Sequence, residues 1–156
     1  MSNPIRYDPP LVRALAVELS ARLAGRAAHP LPLFETDLSA TLLLDGGEAL
    51  RFDLHPRRGW ARVIRTEGRE FERTRERAEG AEASARVARV WAPADERLLR
   101  VELREGNRFR GGERTLVVEL HTNQWNAVLV DARDGRVVSV LRPREAGGRV
   151  LRPGAA

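Results

Sequence analysis

The chain contains no cysteine among its 156 residues. This absence excludes disulfide bonds, thiolate zinc sites and a cysteine nucleophile, and it leaves the redox compartment open. No apolar run approaches the ~20 residues that a membrane-spanning helix needs, and the first residues lack the pattern of a signal peptide. We therefore expect a soluble protein that acts in the cytoplasm, away from membranes.

Lysine is also absent, so all 27 basic residues are arginine, and 22 acidic residues leave a formal net charge of +5. Arginine binds phosphate through two parallel hydrogen bonds and stacks on bases, which favours nucleic acid as a partner. A GC-rich coding bias would produce the same use of arginine beside abundant alanine, glycine and valine. A basic composition indicates a nucleic-acid surface where the charges cluster on one face, so composition leaves both explanations open.

The order of predicted elements is one helix, a first group of strands, a charged helical segment and a second group of strands. Asp8 is the predicted N-cap, Pro9 the first helical residue and Gly25 the end of the helix. We expect this helix to lie on a sheet through the leucines that repeat at helical spacing, Leu11, Leu15, Leu19 and Leu23.

Short runs rich in branched apolar residues predict the strands, and Asp45-Gly46-Gly47 and Asp134-Gly135 predict tight turns between them. The charged segment 67–82 interleaves Glu and Arg at spacings that allow ion pairs along a helix, with Phe71 as its large apolar anchor. The predicted strands are 30–35, 39–44, 49–54, 61–65, 85–91, 98–103, 115–120, 127–130 and 137–141.

These elements predict an α+β domain: a β-sandwich or flattened barrel of about eight mostly antiparallel strands, one packed N-terminal helix and a charged helical insert. Arg86, Arg89 and Arg100 interrupt the apolar pattern of two strands and should face one surface. Polar positions in 86–91 do not alternate strictly. This irregularity favours a two-sided strand with one exposed edge over an uninterrupted phosphate-binding face.

The segment 115–154 carries an ordered set of motifs. A strand ends near Glu119, Asn126 is followed by an apolar run to Asp131, an Asp-Gly turn comes next, and the segment closes in Arg149-Val150-Leu151-Arg152-Pro153-Gly154. A Gly/Pro-rich exit is expected there. The first half adds an ordered series of its own: Tyr7-Asp8, Glu18-Leu19, Gly25, Leu54-His55-Pro56 and Ala61-Arg62-Val63.

In this order the motifs resemble the N-terminal domain of the NFACT family, whose members are also called fibronectin-binding protein A-like or ribosome-quality-control proteins. The resemblance covers about residues 7–154. It implies a fold similar to the N-terminal domain of formamidopyrimidine-DNA glycosylases. It also implies that residues 1–156 form a single domain, either excised from a longer multidomain protein or belonging to a truncated relative of one.

The resemblance implies a non-catalytic RNA-binding domain. Family members bind the obstructed large ribosomal subunit, and in bacteria they recruit tRNA(Ala) for C-terminal alanine tailing of stalled chains. The expected partners are therefore tRNA and large-subunit rRNA, with protein partners reached through further domains. The alternative is a protein-interaction or adhesin-type module, as the older family name implies.

Asp95, Glu96 and Arg97 are the foremost candidates for RNA binding. The resemblance aligns Glu96 and Arg97 with an Asp-Arg pair that is implicated in tRNA recognition at the start of the corresponding strand. A carboxylate there can orient the guanidinium or accept a hydrogen bond from a base, while arginine contacts phosphate or a base edge. Asp95 could supply the carboxylate instead of Glu96. An ordinary turn with a surface ion pair is the structural alternative.

Two further segments combine arginine with an aromatic residue. Arg57 and Arg58 precede Trp60, and Arg108 and Arg110 flank Phe109 in a predicted hairpin loop. Either set could bind single-stranded RNA by contacting phosphate and stacking on a base. A structural turn or an ordinary loop accounts for both segments as well.

The sequence offers little support for catalysis, and we expect neither an enzyme nor a bound cofactor or metal. The histidines at positions 29, 55 and 121 form no HExxH, and there is no GxSxG and no Gly-rich phosphate loop. His121 lies close to Asn126 in a polar segment that could be mistaken for a site. A DNA glycosylase of the related fold would need an N-terminal Pro-Glu, whereas Pro4 is internal and no Glu follows it.

Overall fold

The computed structural model describes residues 7–30, 39–45, 48–54, 60–65, 85–105, 112–121, 125–142, 144–146, 149–152 and 154. Within these ranges the chain forms one α-helix and eleven β-strands. The helix α1 is Pro9–Leu23, and the strands are β1 (Ala27–Pro30), β2 (Ser39–Leu44), β3 (Glu48–Asp53), β4 (Trp60–Arg65), β5 (Ala85–Trp91), β6 (Leu98–Glu105), β7 (Glu113–Glu119), β8 (Asn126–Asp131), β9 (Val137–Val140), β10 (Arg144–Ala146) and β11 (Arg149–Leu151).

Nine strands form one sheet in the order β4-β3-β2-β1-β5-β6-β7-β8-β9, and β10 pairs with β11 in a separate hairpin. Every neighbouring pair is antiparallel. The sheet curls into a half-barrel, and α1 packs against β5 and β6. The predicted α+β class, with one packed helix and antiparallel strands, is confirmed.

Most predicted strands agree with the observed ones to within two residues at each end. The first differs, because β1 occupies Ala27–Pro30 rather than 30–35. The chain enters the sheet directly after the helix, where Gly25 N already donates to Val87 O at 2.7 Å. Residues 31–38, the charged segment 67–82, and Gly46 and Gly47 of the first predicted turn lie outside the described residues.

Local signals set both ends of α1. The Asp8 side chain accepts a hydrogen bond from Leu11 N at 2.9 Å, and Pro9 occupies the first turn, where its missing N–H is not needed. Gly25 follows the last turn with φ of +83°, a left-handed conformation that glycine adopts without steric cost. The predicted cap, start and end of the helix are confirmed.

The buried face of α1 differs from the predicted leucine stripe. Leu11 is 41% exposed, whereas Val12 is fully buried. Four-residue steps advance by about 400°, so a series that uses them alone drifts about 40° around the helix at each step. Alternating steps of four and three stay on one face. The buried positions follow that alternation: Val12, Ala16, Leu19 and Leu23.

Helix α1 and the residue Arg26 after it also bond to backbone groups of β5 that β1 does not reach. Strand β1 pairs with β5 at Ala85 and Arg86, and beyond that point the connection after α1 takes over through Val87 N, which donates to Arg26 O at 3.0 Å. Farther along, Val90 N donates to the Ser20 hydroxyl oxygen at 3.1 Å. The helix therefore covers one face of the sheet and also satisfies a backbone donor of β5.

The irregular alternation in β5 comes from a β-bulge, and the predicted strand with an exposed edge is wrong. Strand β5 lies inside the sheet between β1 and β6. Its pairing with β6 shifts between Val87 and Arg89, so that Ala88 is an extra residue. The extra residue shifts the alternation of side chains by one position on its far side. Arg86 and Arg89 consequently share one face although they are three residues apart.

The core lies between α1 and the sheet face that it covers. Val87, Val101 and Val118 project from three neighbouring strands into this layer, where they are at most 1% exposed. A smaller cluster of Val128, Val137 and Val140 is buried around β8 and β9. The largest fully buried side chains of the core are Phe52, Leu23, Leu42, Leu50, Leu54, Leu99, Leu103, Leu116, Leu120 and Leu141.

The predicted meander β7–β9 is confirmed. Gly135 has φ of +72°, and its N–H donates to Asp131 O at 2.9 Å, so the Asp-Gly pair forms the turn before β9. The Gly/Pro-rich exit contains the additional hairpin β10–β11, where Glu145 pairs with Val150. In the described part of the chain, no helix has the length and apolar character needed to cross a membrane.

Candidate nucleic-acid interface

The sheet face opposite α1 carries arginines on β5 and β6. Cross-strand pairing sets Arg86 opposite Arg104, Arg89 opposite Glu102 and Trp91 opposite Arg100. Side chains of directly paired residues point to the same side of an antiparallel sheet. The prediction that Arg86, Arg89 and Arg100 face one surface is therefore confirmed. We call this surface the Arg–Trp face: Arg86, Arg89, Trp91, Arg100, Glu102 and Arg104.

Glu102 holds the centre of the Arg–Trp face together. Its Oε2 accepts a hydrogen bond from Arg89 Nε at 2.9 Å, and its Oε1 accepts from Arg89 Nη2 at 3.1 Å. The same Oε1 accepts from the indole Nε1 of Trp91 at 2.9 Å. The two hydrogen bonds from Arg89 fix the orientation of its planar guanidinium, and the carboxylate neutralises its charge.

The contacts of Glu102 also fix its ionisation. The hydrogen bond from Arg89 lowers the pKa of the Glu102 carboxyl, the hydrogen bond from Trp91 acts in the same direction, and partial burial opposes both. The hydrogen bond to Glu102 raises the pKa of Arg89. Both groups are therefore charged at neutral pH, and the pair persists as an ion pair.

Two guanidinium groups lie against the Trp91 ring. The Cζ of Arg89 is 4.9 Å from the ring centroid, and the Cζ of Arg100 is 5.5 Å from it. Both distances fall within the range of cation–π attraction. Arg89 is held from two sides, by Glu102 and by the ring, while its side chain remains 58% exposed. Nε of Arg100 is buried without a hydrogen-bond partner in the part of the chain that the structure describes.

An open depression adjoins this cluster where the bulge shifts β5. Arg86 Nη1 donates to Gly25 O at 2.9 Å on one side, and Arg104 Nε lies 3.6 Å from Glu113 Oε1 on the other. Three guanidinium groups and one carboxylate line the depression, which leaves a positive surplus suited to a phosphodiester backbone. The depression measures about 540 Å³ and is lined by Gly25, Arg86, Val87, Ala88, Arg89, Glu102 and Arg104.

The predicted site residues Asp95, Glu96 and Arg97 lie in the connection between β5 and β6, at the end where Trp91 pairs with Arg100. Asp95 has φ of +61° and Glu96 is exposed. Arg97 is half-buried, and its backbone oxygen accepts from Leu120 N at 2.8 Å. Among the described residues, no hydrogen bond or ion pair links the side chains of these three residues to one another. Their role in RNA binding stays a prediction.

The other predicted arginines, Arg57, Arg58, Arg108 and Arg110, lie outside the described residues. The sequence analysis did not select Trp91, Glu102 or Arg104. Pairing between β5 and β6 is what places these side chains beside the predicted arginines. Regular alternation in 100–104 marks Arg100, Glu102 and Arg104 as one face and was the available signal. The described residues contain no group of three or more His, Asp or Glu side chains placed to hold a metal ion.

The polar segment beside His121 has a structural role at Asn126. This residue is fully buried. Its Oδ1 accepts hydrogen bonds from Ala127 N and Arg142 N, both at 2.9 Å, and its Nδ2 donates to Arg142 O at 3.0 Å. Asn126 thereby ties the start of β8 to the chain that follows β9, and its side-chain groups are engaged in that contact.

Comparison with solved structures identifies the fold. The N-terminal domain of the fibronectin-binding protein PavA from Streptococcus pneumoniae superposes with a TM-score of 0.72 at 17% identity, covering 96% of this chain and 60% of that one. The N-terminal part of the fibronectin/fibrinogen-binding protein FBPS from Streptococcus suis gives 0.74 at 16% identity, with 96% and 59% covered. The fibrinogen-binding protein from Staphylococcus aureus gives 0.72 at 14% identity, with 97% and 55% covered.

The chain is thus an α+β domain with the fold of the N-terminal domains of fibronectin-binding proteins. This result agrees with the resemblance to fibronectin binding protein A-like domains. The chain spans 55–60% of the length of these three structures. No protein-family model matches it, and no curated protein matches it in sequence.

Proposed function

We propose that this domain is a non-catalytic RNA-binding domain of a cytoplasmic ribosome-quality-control factor. In this role it binds the obstructed large ribosomal subunit and recruits tRNA for C-terminal alanine tailing of stalled chains. The observation that carries the proposal is a juxtaposition: the connection that holds Arg97 leaves β5 at the end where Trp91 and Arg100 meet. Arg97, which we propose contacts the tRNA, and the positively charged Arg–Trp face therefore belong to one β-hairpin.

The Arg–Trp face and Arg97 would make different contributions to the free energy of RNA binding. Arginines on the Arg–Trp face attract the phosphate backbone without regard to sequence and make affinity depend on salt. Arg97 lies on the connecting turn, where it can contact a base edge or phosphate, with Glu96 or Asp95 accepting from a base amino group. Arg57, Arg58, Arg108 and Arg110 remain proposed contacts of the same RNA.

The test is the affinity of the domain for tRNA(Ala) and for other tRNAs at two salt concentrations. Arg97→Ala should remove the selectivity for tRNA(Ala). Arg13→Ala is the matched control, because Arg13 is an exposed arginine on α1, across the sheet from the Arg–Trp face. Weak and unselective binding that Arg97→Ala leaves unchanged would refute a tRNA-reading role for this domain.

The neighbours support a second candidate from another class, a protein-interaction module. Two of them are described as fibronectin-binding or fibronectin/fibrinogen-binding proteins, and the third as a fibrinogen-binding protein. Binding of purified fibronectin or fibrinogen that survives Arg97→Ala, without RNA binding, would favour this candidate.

The proposal includes the absence of catalysis and of a cofactor. A glycosylase of the related fold forms a covalent imine between an amine nucleophile and the lesion sugar. Borohydride reduction of a mixture with damaged DNA should trap no covalent adduct of this protein. A trapped adduct would overturn the non-catalytic assignment.

A further inference from the structure

Arg89 is an exposed planar group that is fixed in place before any ligand arrives. Two hydrogen bonds from Nε and Nη2 to Glu102 set the orientation of the guanidinium, and the Trp91 ring supports it at 4.9 Å. The indole is held in turn by its own hydrogen bond to Glu102. A mobile arginine side chain loses rotamer entropy when a ligand orders it. Much of that loss has already occurred here.

We propose that Arg89 is a stacking platform for one unpaired nucleobase of single-stranded RNA, and that Arg86 and Arg104 bind the adjoining phosphates. This inference rests on the RNA-binding function proposed above and names a second subsite, distinct from the Arg97 turn. Unpaired RNA bases stack on aromatic rings and equally on guanidinium planes. A base on Arg89 would rest on a guanidinium whose Cζ lies 4.9 Å from the centroid of the Trp91 ring.

The surroundings of Arg89 fit a phosphodiester strand. Arg86 and Arg104 pair directly across β5 and β6, and on this face the Arg89–Glu102 pair lies between them and the Trp91–Arg100 pair. Arg104 is 69% exposed, so its guanidinium is accessible to phosphate. A pair of arginines beside a planar group on which a base can stack offers the two contacts that single-strand binding grooves use, phosphate attraction along the strand and stacking of individual bases.

The fixed plane of the Arg89 guanidinium favours nucleic acid over an acidic protein as the occupant, because both partners would satisfy its charge. Glu102 uses both oxygens on Arg89 and Trp91, and its role is to orient Arg89. An acidic protein segment would need only the positive charge of the arginines, and any cation at position 89 would then suffice. A stacked base needs the planar guanidinium in its fixed orientation, and this difference can be measured.

The experiment measures fluorescence anisotropy of a labelled single-stranded oligoadenylate of about eight nucleotides, within the site sizes of single-strand binding domains. Arg89→Lys keeps the charge and removes the plane. Glu102→Gln removes a carboxylate that repels phosphate, so bulk electrostatics predicts tighter binding. We expect both variants to weaken binding by at least about fivefold, the lower limit for loss of one stacked base. Arg13→Ala should have no effect.

An abasic oligomer of the same length separates stacking from phosphate attraction. Arg89→Lys should leave its affinity unchanged, because no base is available to stack. Arg104→Ala should weaken both oligomers alike and lower the slope of log affinity against log salt by about 0.7, the value for one phosphate contact on a single strand. Thermal unfolding of each variant checks that the fold is retained.

The outcomes distinguish this inference from the proposed tRNA recognition. Arg97-dependent tRNA binding with oligoadenylate binding unchanged in Arg89→Lys and Glu102→Gln would overturn the stacking site and leave tRNA recognition standing. Tighter binding by Glu102→Gln would also overturn it. Oligoadenylate binding lost in Arg89→Lys without selective tRNA binding would support the stacking site alone. Loss of fibronectin binding in Arg89→Lys, with RNA binding intact, would identify the face as a protein interface.

Discussion

The indole Nε1 of Trp91 donates a 2.9 Å hydrogen bond to Oε1 of Glu102, across the boundary between β5 and β6. Trp91 lies beyond the bulge at Ala88, and the resumed alternation of β5 places it on the side to which Glu102 points. A single extra residue thus allows an aromatic ring, two guanidinium groups and a carboxylate to share one surface of the sheet.

The first prediction concerns pH. The folded-state pKa of Glu102 is lowered, chiefly by the hydrogen bond from Arg89, so its ionised form stabilises the fold above the ordinary glutamate pKa of about 4.3. This contribution is lost as pH falls through the lowered value. Glu102→Gln should therefore cost up to about 1 kcal/mol at pH 7, the range of partly exposed pairs. The difference from the unsubstituted protein should shrink towards pH 3.

Urea unfolding of both proteins across this pH range gives the measurement. Glu18→Gln on α1 is a matched control for removal of one carboxylate, since the Glu18 side chain is 65% exposed. A stability difference for Glu102→Gln that grows on acidification would contradict the assigned contacts.

A side chain at Gly25 should destabilise the fold. The φ of +83° is costly for an L-residue even though a Cβ there would meet no atom within 4 Å. Gly25→Ala is expected to lower the free energy of unfolding by about 1–2 kcal/mol, because the left-handed conformation costs that much per residue. Chemical denaturation measures the effect. Ala24→Gly, at the preceding position with φ of −57°, is the control for a change in backbone freedom. An unchanged stability for Gly25→Ala would show that the turn adopts another conformation.

Ser20 is expected to matter through its hydroxyl oxygen. Val90 N donates to it at 3.1 Å, and Val90 is 4% exposed. Ser20→Ala leaves this backbone donor without its partner and should cost about 1–3 kcal/mol. Hydrogen exchange at the Val90 amide should accelerate in the same variant. Glu18→Ala on an exposed position of α1 is the control. Unchanged exchange at Val90 would show that the hydroxyl does not protect this edge of β5.

Asn126 should act on stability and leave RNA binding unchanged. Its side chain makes three hydrogen bonds at a fully buried position. Asn126→Ala deprives two backbone N–H groups and one carbonyl of their partner, so it should cost at least about 2 kcal/mol. Thermal unfolding measures the loss, with Arg13→Ala at an exposed position of α1 as control. RNA affinity that falls while stability is unchanged would instead make Asn126 a binding residue.

Local patterns in the sequence predicted the bounds of most elements. Asp8 and Gly25 delimit α1 through cap chemistry that involves only nearby residues, and the Asp134-Gly135 pair places the turn before β9 in the same way. The signals for strands are also local, because alternating apolar and polar residues and branched side chains can be recognised within a few positions. The α+β class followed from these elements before any tertiary contact was known.

Long-range contacts decided the rest. Leu11 and Val12 both suit a helix, and packing of α1 against β5 and β6 determined which of them is buried. The bulge at Ala88 depends on register with β6, which no neighbour in sequence specifies. The amino-acid sequence by itself therefore determined the helix, most of the strands, the turn before β9 and an arginine-only positive charge. The tertiary structure alone decided that Arg86, Arg89 and Trp91 share a face with Glu102, because side-chain direction depends on strand pairing across the sheet.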